Sequence, residues 1–156
     1  MQTVRTVFRR AGEGPTHNIL GMHHEYKLLA SESGHFMSFI ANVPVGCGAP
    51  MHFHDRDSES FYILEGEITM IGSDGSKTVA GPGDYVWFGA GHEHAFLNEG
   101  EVTARAVITQ SPGIEAERFF SEIDNAATAE NFEPMRGVTE IGSRNGVQIA
   151  RAPELA

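Results

Sequence analysis

Three histidines and a glutamate, His52, His54, Glu59 and His94, are the side chains of this sequence best placed to do chemistry. His52 and His54 stand two apart in a segment, Met51 to His54, that reads as a strand. Side chains alternate along a strand, so both imidazoles face one side. Glu59 opens the next strand, after a turn long enough to fold it back beside them. His94 comes from a later strand and completes a set of three nitrogens and one oxygen. Such a set suits one divalent transition metal per chain. Fe, Mn, Ni, Co, Cu and Zn all accept it, and the ligand types do not choose among them. A six-coordinate ion held this way keeps positions open for substrate, water or dioxygen. A pair of histidines at this spacing is weak evidence alone, because two core or surface imidazoles read the same way.

Other reactive side chains lie nearby. His92 sits two before His94 and shares its face if the strand begins at Gly91. It is then a catalytic candidate, a base near the metal; in a turn it is a solvated residue. His23 and His24 are consecutive, so only one can point inward, and ordinary barrel or interface roles are expected. His17 and His35 fall in turn-like context and carry no expected role. Cys47 precedes the metal hairpin, and a small turn residue is expected there rather than a thiol ligand or nucleophile.

The elements that must position these residues are short strands. One is expected at 4–9 in an N-terminal arm. Others follow at 26–30, 35–43, 51–54, 59–65, 67–71, 77–80, 85–88, 93–97 and 102–109. Turn signals such as Ser73-Asp74-Gly75-Ser76 and Gly81-Pro82-Gly83-Asp84 separate them and recur from 31 to 112. That spacing predicts an all-β sandwich or barrel. After Ser111-Pro112-Gly113 the pattern changes. Ile114 to Ile123 is acidic, unbroken by Gly or Pro, and apolar at 119, 120 and 123, which reads as a helix. Pro134 to Arg144 reads as a second helix stopped by Asn145-Gly146, with Gly137 and Gly142 arguing against it. Residues 147–150 read as a final edge strand. The expectation is one domain over 1–156, with a barrel at about 20–111 and a helical extension at about 112–156.

Strand parity assigns faces. Phe61 and Ile63 share the face of Glu59, and Phe96 that of His94, so these three are the expected walls of an apolar substrate pocket. Phe36, Ser38 and Ile40 oppose Met37 and Phe39, and Tyr85 and Trp87 oppose Val86 and Phe88; parity leaves open which set is inward.

Composition narrows the function classes. The 156 residues are 40% hydrophobic and 21% charged, as in globular domains. With 11 Lys and Arg against 21 Asp and Glu, the formal charge of −10 argues against a nucleic-acid partner. No apolar run approaches the roughly 18 residues of a spanning helix, and the first residues lack a signal-peptide core, so no membrane partner and a cytoplasmic location are expected. The single cysteine excludes an intrachain disulfide.

The spacing around the four ligands resembles the cupin superfamily. Its first motif, G-x5-H-x-H-x4-E-x6-G, is matched by Gly46, His52, His54, Glu59 and Gly66. Its second, G-x5-P-x-G-x2-H-x3-N, is matched by Gly83, Gly91, His94 and Asn98, with Gly89 where the family usually has proline. The segments VPVGCGAPMHFH, ESFYILEGEI and AGPGDYVWFGAGHEHAF are similar to small single-domain cupins of the quercetin-2,3-dioxygenase-like group. The resemblance implies a double-stranded β-helix, a small antiparallel barrel with a metal near one mouth. It implies a dioxygenase acting on an enolisable aromatic or otherwise hydrophobic small molecule. In that group the ligand glutamate, here Glu59, is thought to accept the substrate proton; pure ligation is the other role. Two further readings are a non-redox metal enzyme (isomerase, lyase or cyclase) and a binding module without turnover. Cupin lyases of dimethylsulfoniopropionate commonly carry a tyrosine two after the ligand glutamate, where this chain has Phe61. Small cupins commonly pair, so a homodimer is expected.

Overall fold

Strand β3 (Met37–Val43) buries Met37, Phe39, Ala41 and Val43 and leaves the alternate residues half-buried, which identifies its inward face. The same period of two runs through β10 (Ala104–Ser111), where Ala104, Ala106, Ile108 and Gln110 are buried. Strands that alternate this way need an apolar layer on one side only, and two such sheets facing each other supply it. The computed structural model describes residues 5–150. Its other strands are β1 (Thr16–Ile19), β2 (Met22–Leu28), β4 (Gly48–His54), β5 (Ser58–Glu65), β6 (Ile68–Gly72), β7 (Lys77–Ala80), β8 (Tyr85–Phe88), β9 (His94–Leu97) and β11 (Val147–Ile149). They form a six-stranded sheet in the order β1-β2-β3-β10-β5-β8 and a five-stranded sheet in the order β11-β4-β9-β6-β7. Every pairing is antiparallel. This is the double-stranded β-helix the motifs imply.

The core lies between the sheets, where Tyr26, Phe39, Phe61, Ile63 and Ile68 are almost fully buried. On β8 the outward set is Tyr85 and Trp87, and the inward set Val86 and Phe88. β1 and β11 lie outside residues 20–111 and add one strand to each sheet.

Three expectations are corrected. No strand forms over residues 5–9, and residue 4 lies outside the described residues. Instead Arg9 ties the arm down: its guanidinium donates to both carboxylate oxygens of Glu32, at 2.8 and 2.6 Å, and to the Lys27 carbonyl at 2.8 Å. The turn expected at 31–34 is a short helix, α1 (Ala30–Ser33), in which Glu32 also accepts from the Leu29 amide. The strand expected at 26–30 starts earlier, at Met22, because His24 and Tyr26 continue its buried face.

Helices α2 (Ile114–Ala126) and α3 (Pro134–Arg144) follow the strands, both at the expected starts. α2 buries Ala116, Phe119, Phe120 and Ile123, an i, i+3, i+4, i+7 stripe. Gly142, which seemed out of place in a helix, is where α3 presses on β11. A Cβ there would lie 2.5 Å from the Val147 carbonyl oxygen. Gly142→Ala is therefore expected to destabilise by about 1–3 kcal/mol, the usual range for overpacking. That lowers the thermal midpoint by roughly 2–10 °C in a domain of this size, readable by circular dichroism. An unchanged midpoint would refute this account of the helix contact.

Candidate metal centre

β4 ends in His52 and His54, both buried, because Pro50 and Met51 lead the strand under the opposite sheet. A tight turn at 55–57 returns the chain as β5, which begins with buried Glu59. β9 pairs with β4 so that His94 lies directly across from His52. The three imidazoles thus come from the five-stranded sheet, and the carboxylate faces them from the six-stranded one. One ligand atom from each of His52, His54, Glu59 and His94 lies within 4.8 Å of all the others.

The hydrogen bonds select the ring nitrogens. His52 Nδ1 lies 2.7 Å from the Pro50 carbonyl oxygen, and His94 Nδ1 lies 2.9 Å from that of His92. A carbonyl can only accept, so both Nδ1 atoms carry the proton and both Nε2 atoms present a lone pair. Those lone pairs point at Glu59 Oε2, from 3.9 Å for His52 and 3.2 Å for His94. His54 Nε2 lies 2.8 Å from the same oxygen, and its buried Nδ1 has no partner among the described residues. Lone pairs meeting a carboxylate oxygen in a dry interior repel unless a cation lies among them. The donor set therefore fits a divalent metal, with the Nδ1 bonds to backbone holding the rings in place.

The packing adds rigidity. Phe88, across the ladder from Glu59, stacks on His94 with ring centroids 4.0 Å apart and planes 4° from parallel. The Gly91 amide donates to the His54 carbonyl at 2.7 Å, tying the loop before β9 to the ligand strand. Electrostatics follow from burial and neighbours. Burial pushes the Glu59 carboxyl up, but with no metal bound, hydrogen bonds from protonated imidazoles at His52, His54 and His94 outweigh that and hold it well below the carboxylate range. Burial opposes the charged form of His54, yet the bond and charge of Glu59, with Asp57 and Asp55 beyond, raise its pKa.

A cavity of about 580 Å3, part of it open to solvent, adjoins the cluster. His52, His54, Glu59 and Phe96 line it, as do Phe39, Phe119, Phe120 and Val138. Phe61 and Ile63, expected as pocket walls, are instead fully buried behind it, Phe61 packing edge-on against Phe88 and Phe96. Their inward face is as parity requires, but Phe119 and Phe120 of α2 stand in the cavity. His92 is exposed; its ring stacks loosely on Phe88, and only its carbonyl touches the ligand set. The loop does not carry its imidazole inward, so the structure gives it no place as a base. Cys47 is outside the cluster. Two cavity residues were missed from sequence. His24, expected to be ordinary, is buried between Phe39 and Phe120 and bonds Tyr26 Oη through Nδ1 at 3.1 Å. Gln110 also faces inward, and its signal was available: one polar residue at the inward parity of an apolar strand.

Two outcomes follow. His54→Ala removes one of four ligands and is expected to lower metal content well below one per chain, measured by elemental analysis; full retention would refute the cluster. Burial, helped by His17 and opposed by Glu59 and Asp124, pulls the His24 pKa down to about 3 from 6.5. The unfolded chain then binds a proton in this window that the folded chain does not, so His24 costs stability progressively as pH falls from about 6.5 to 3. His24→Gln, compared with wild type in thermal melts across that range, is expected to lose less stability in acid; parallel curves would refute it.

The chain was compared with known proteins. A family model described as "Cupin domain" matches residues 39–109, which hold all four ligands. A protein of Bacillus subtilis (strain 168) named quercetin 2,3-dioxygenase is 31% identical over 70 residues, 45% of this chain and 20% of its own length. The match thus spans only about a fifth of that relative's length. Among solved structures, the polyketide cyclase RemF from Streptomyces resistomycificus is similar with a TM-score of 0.59 at 20% identity, over 70% of this chain and 80% of its own. An RmlC-like cupin from Shewanella frigidimarina is similar with a TM-score of 0.60 at 21% identity, over 74% and 98%. These structural likenesses speak to the fold alone. In the described residues no helix is long and apolar enough to cross a membrane. Sheet order and ligand geometry agree with that match: residues 39–109 resemble a cupin domain in sequence, strand arrangement and ligand set.

Proposed function

We propose that this chain is a metal-dependent enzyme of dioxygenase type, acting on a small, mainly apolar molecule that can form an enolate. One observation carries the reading: the buried four-donor cluster adjoins a cavity walled chiefly by apolar side chains. A ligand entering it must shed water and present few polar atoms, which suits a planar aromatic better than a sugar. The relative in B. subtilis, matched over a short stretch, is named for quercetin, a molecule of that kind.

A divalent cation held by His52, His54, Glu59 and His94 supplies a positive centre for an enolate oxygen and, when redox-active, a route for electrons to dioxygen. The chain's own residues do the rest. Glu59, a carboxylate beside that cation, accepts the substrate hydroxyl proton. His52 and His94 keep their orientation through their bonds to backbone carbonyls. Phe39, Phe96, Phe119 and Phe120 exclude water and orient a flat ring, and a dry site strengthens every charge interaction within it.

A second reading is Lewis-acid chemistry without redox change, as in an isomerase, lyase or cyclase. The apolar cavity favours it too, because a cyclase must also surround an apolar chain. The small-molecule partner belongs to either reading. So does a homodimer: β8 is the edge of its sheet and exposes Tyr85 and Trp87, a surface that a second copy of the chain would cover.

The test is elemental analysis of protein purified without an affinity metal, with oxygen uptake on the same sample. Near one redox metal per chain and uptake on adding quercetin are expected, with uptake falling at least ~100-fold in Glu59→Ala. Zinc, or a redox metal with no uptake across substrates, would shift the assignment to Lewis-acid chemistry. No metal even after reconstitution would overturn both and leave a binding barrel.

A further inference from the structure

Gln110 is 1% exposed, and neither its Oε1 nor its Nε2 has a hydrogen-bond partner among the described residues. Buried amides are nearly always bonded, and a bare one is less stable than an apolar side chain of the same shape. Its position is fixed from both sides. Across the ladder it opposes Glu59 on β5 and Met37 on β3. Behind it the chain turns through Gly113, at φ +80°, where a Cβ would lie 2.6 Å from the Gln110 carbonyl oxygen. The Gly113 amide donates to buried Asp57 at 2.9 Å, which anchors that turn. The Gln110 side chain lines the same cavity as His52, His54 and Glu59, among Phe39, Ile108 and Phe119. His24, the cavity's other buried polar side chain outside the ligand set, already bonds Tyr26.

We propose that Gln110 positions the substrate, and that it selects a ligand carrying adjacent carbonyl and hydroxyl groups. This rests on the reading that the cavity takes an enolisable molecule. Glu59 is the cross-strand neighbour of Gln110, so a ligand whose oxygen reaches the donor cluster brings its adjacent oxygen within the amide's range. A carboxamide is neutral and offers a donor and an acceptor side by side. The Nε2 hydrogens donate to the ligand's carbonyl, the neighbour of the hydroxyl whose proton passes to Glu59. A ligand that brings no carbonyl there leaves the amide bare, so discrimination comes from the unpaired group as much as from the bond.

The test uses 3-hydroxyflavone, which carries both groups on adjacent carbons, and flavone, which lacks the hydroxyl that anchors the ligand at the donor cluster and so does not hold its carbonyl beside the amide. Each is titrated without oxygen into Co2+-loaded protein and followed by absorbance. Gln110→Met keeps the length of the side chain and removes its polar atoms. It is expected to weaken 3-hydroxyflavone about tenfold and to leave flavone nearly unchanged. Bound Co2+ should be unaltered, and the thermal midpoint of the metal-free variant equal to or above that of wild type. Equal 3-hydroxyflavone affinity in variant and wild type would overturn the assignment while leaving the reading of the site intact. A lower midpoint with equal loss of both flavones would assign Gln110 to packing and overturn it too. Wild-type protein that binds no 3-hydroxyflavone would overturn the substrate class, and this proposal with it. Gln110→Leu, run in parallel, gives the same readings if the Met variant does not fold.

Discussion

Three imidazole nitrogens and one carboxylate oxygen meet on four buried side chains, and the architecture is arranged around that meeting. Taking a carboxylate out of water costs several kcal/mol even after relaxation. The cost is tolerable only if the groups around Glu59 are fixed in number, distance and protonation. Backbone carbonyls of Pro50 and His92 fix the protonation of two rings. The Phe88 ring fixes the plane of His94. Because the histidines stand on one sheet and the glutamate on the other, an ion held among them joins the two halves of the barrel. The centre therefore belongs to the cohesion of the fold as well as to its chemistry.

Much of this could be read from the residues. A period of two is written into β3, β5 and β10, and hairpin turns such as Gly81-Pro82-Gly83-Asp84 bound their strands closely enough to place β7 and β8 residue for residue. The ligand set was readable because a strand puts i and i+2 on one face, so that His52 and His54 needed no tertiary information. What could not be read depended on long-range partners. Arg9 reaches Glu32 across 23 positions, and nothing local marks that pair. Parity sends Phe61 and Ile63 inward but cannot say whether the space before them is empty or filled, since Phe119 and Phe120 of α2 and Val138 of α3 decide it. His92 has the right spacing for the site, yet the turn at 89–92 leaves its ring in solvent.

The helices have a different logic from the strands. The α2 stripe at 116, 119, 120 and 123 is a pattern any amphipathic helix could carry. Its target is the cavity, where Phe119 and Phe120 face His24 and Phe39 across the barrel. The residues that keep the site dry thus come partly from the matched domain, as Phe39 and Phe96, and partly from beyond it, as Phe119 and Phe120, while the residues that hold charge come from within it.

One pairing sets the order in which the centre is assembled. β11 lies along β4 with Val147 opposite His54 and Ile149 opposite His52. The strand that bears two ligands therefore gains its outer neighbour only from residues almost a hundred positions later. On a ribosome, where synthesis adds about 5–20 residues per second, the ligand hairpin spends several seconds as an unpaired edge. Closure by β11 then completes the sheet that carries three of the four ligands, so the ligand strand acquires its full set of backbone partners only when the last described residues have been made.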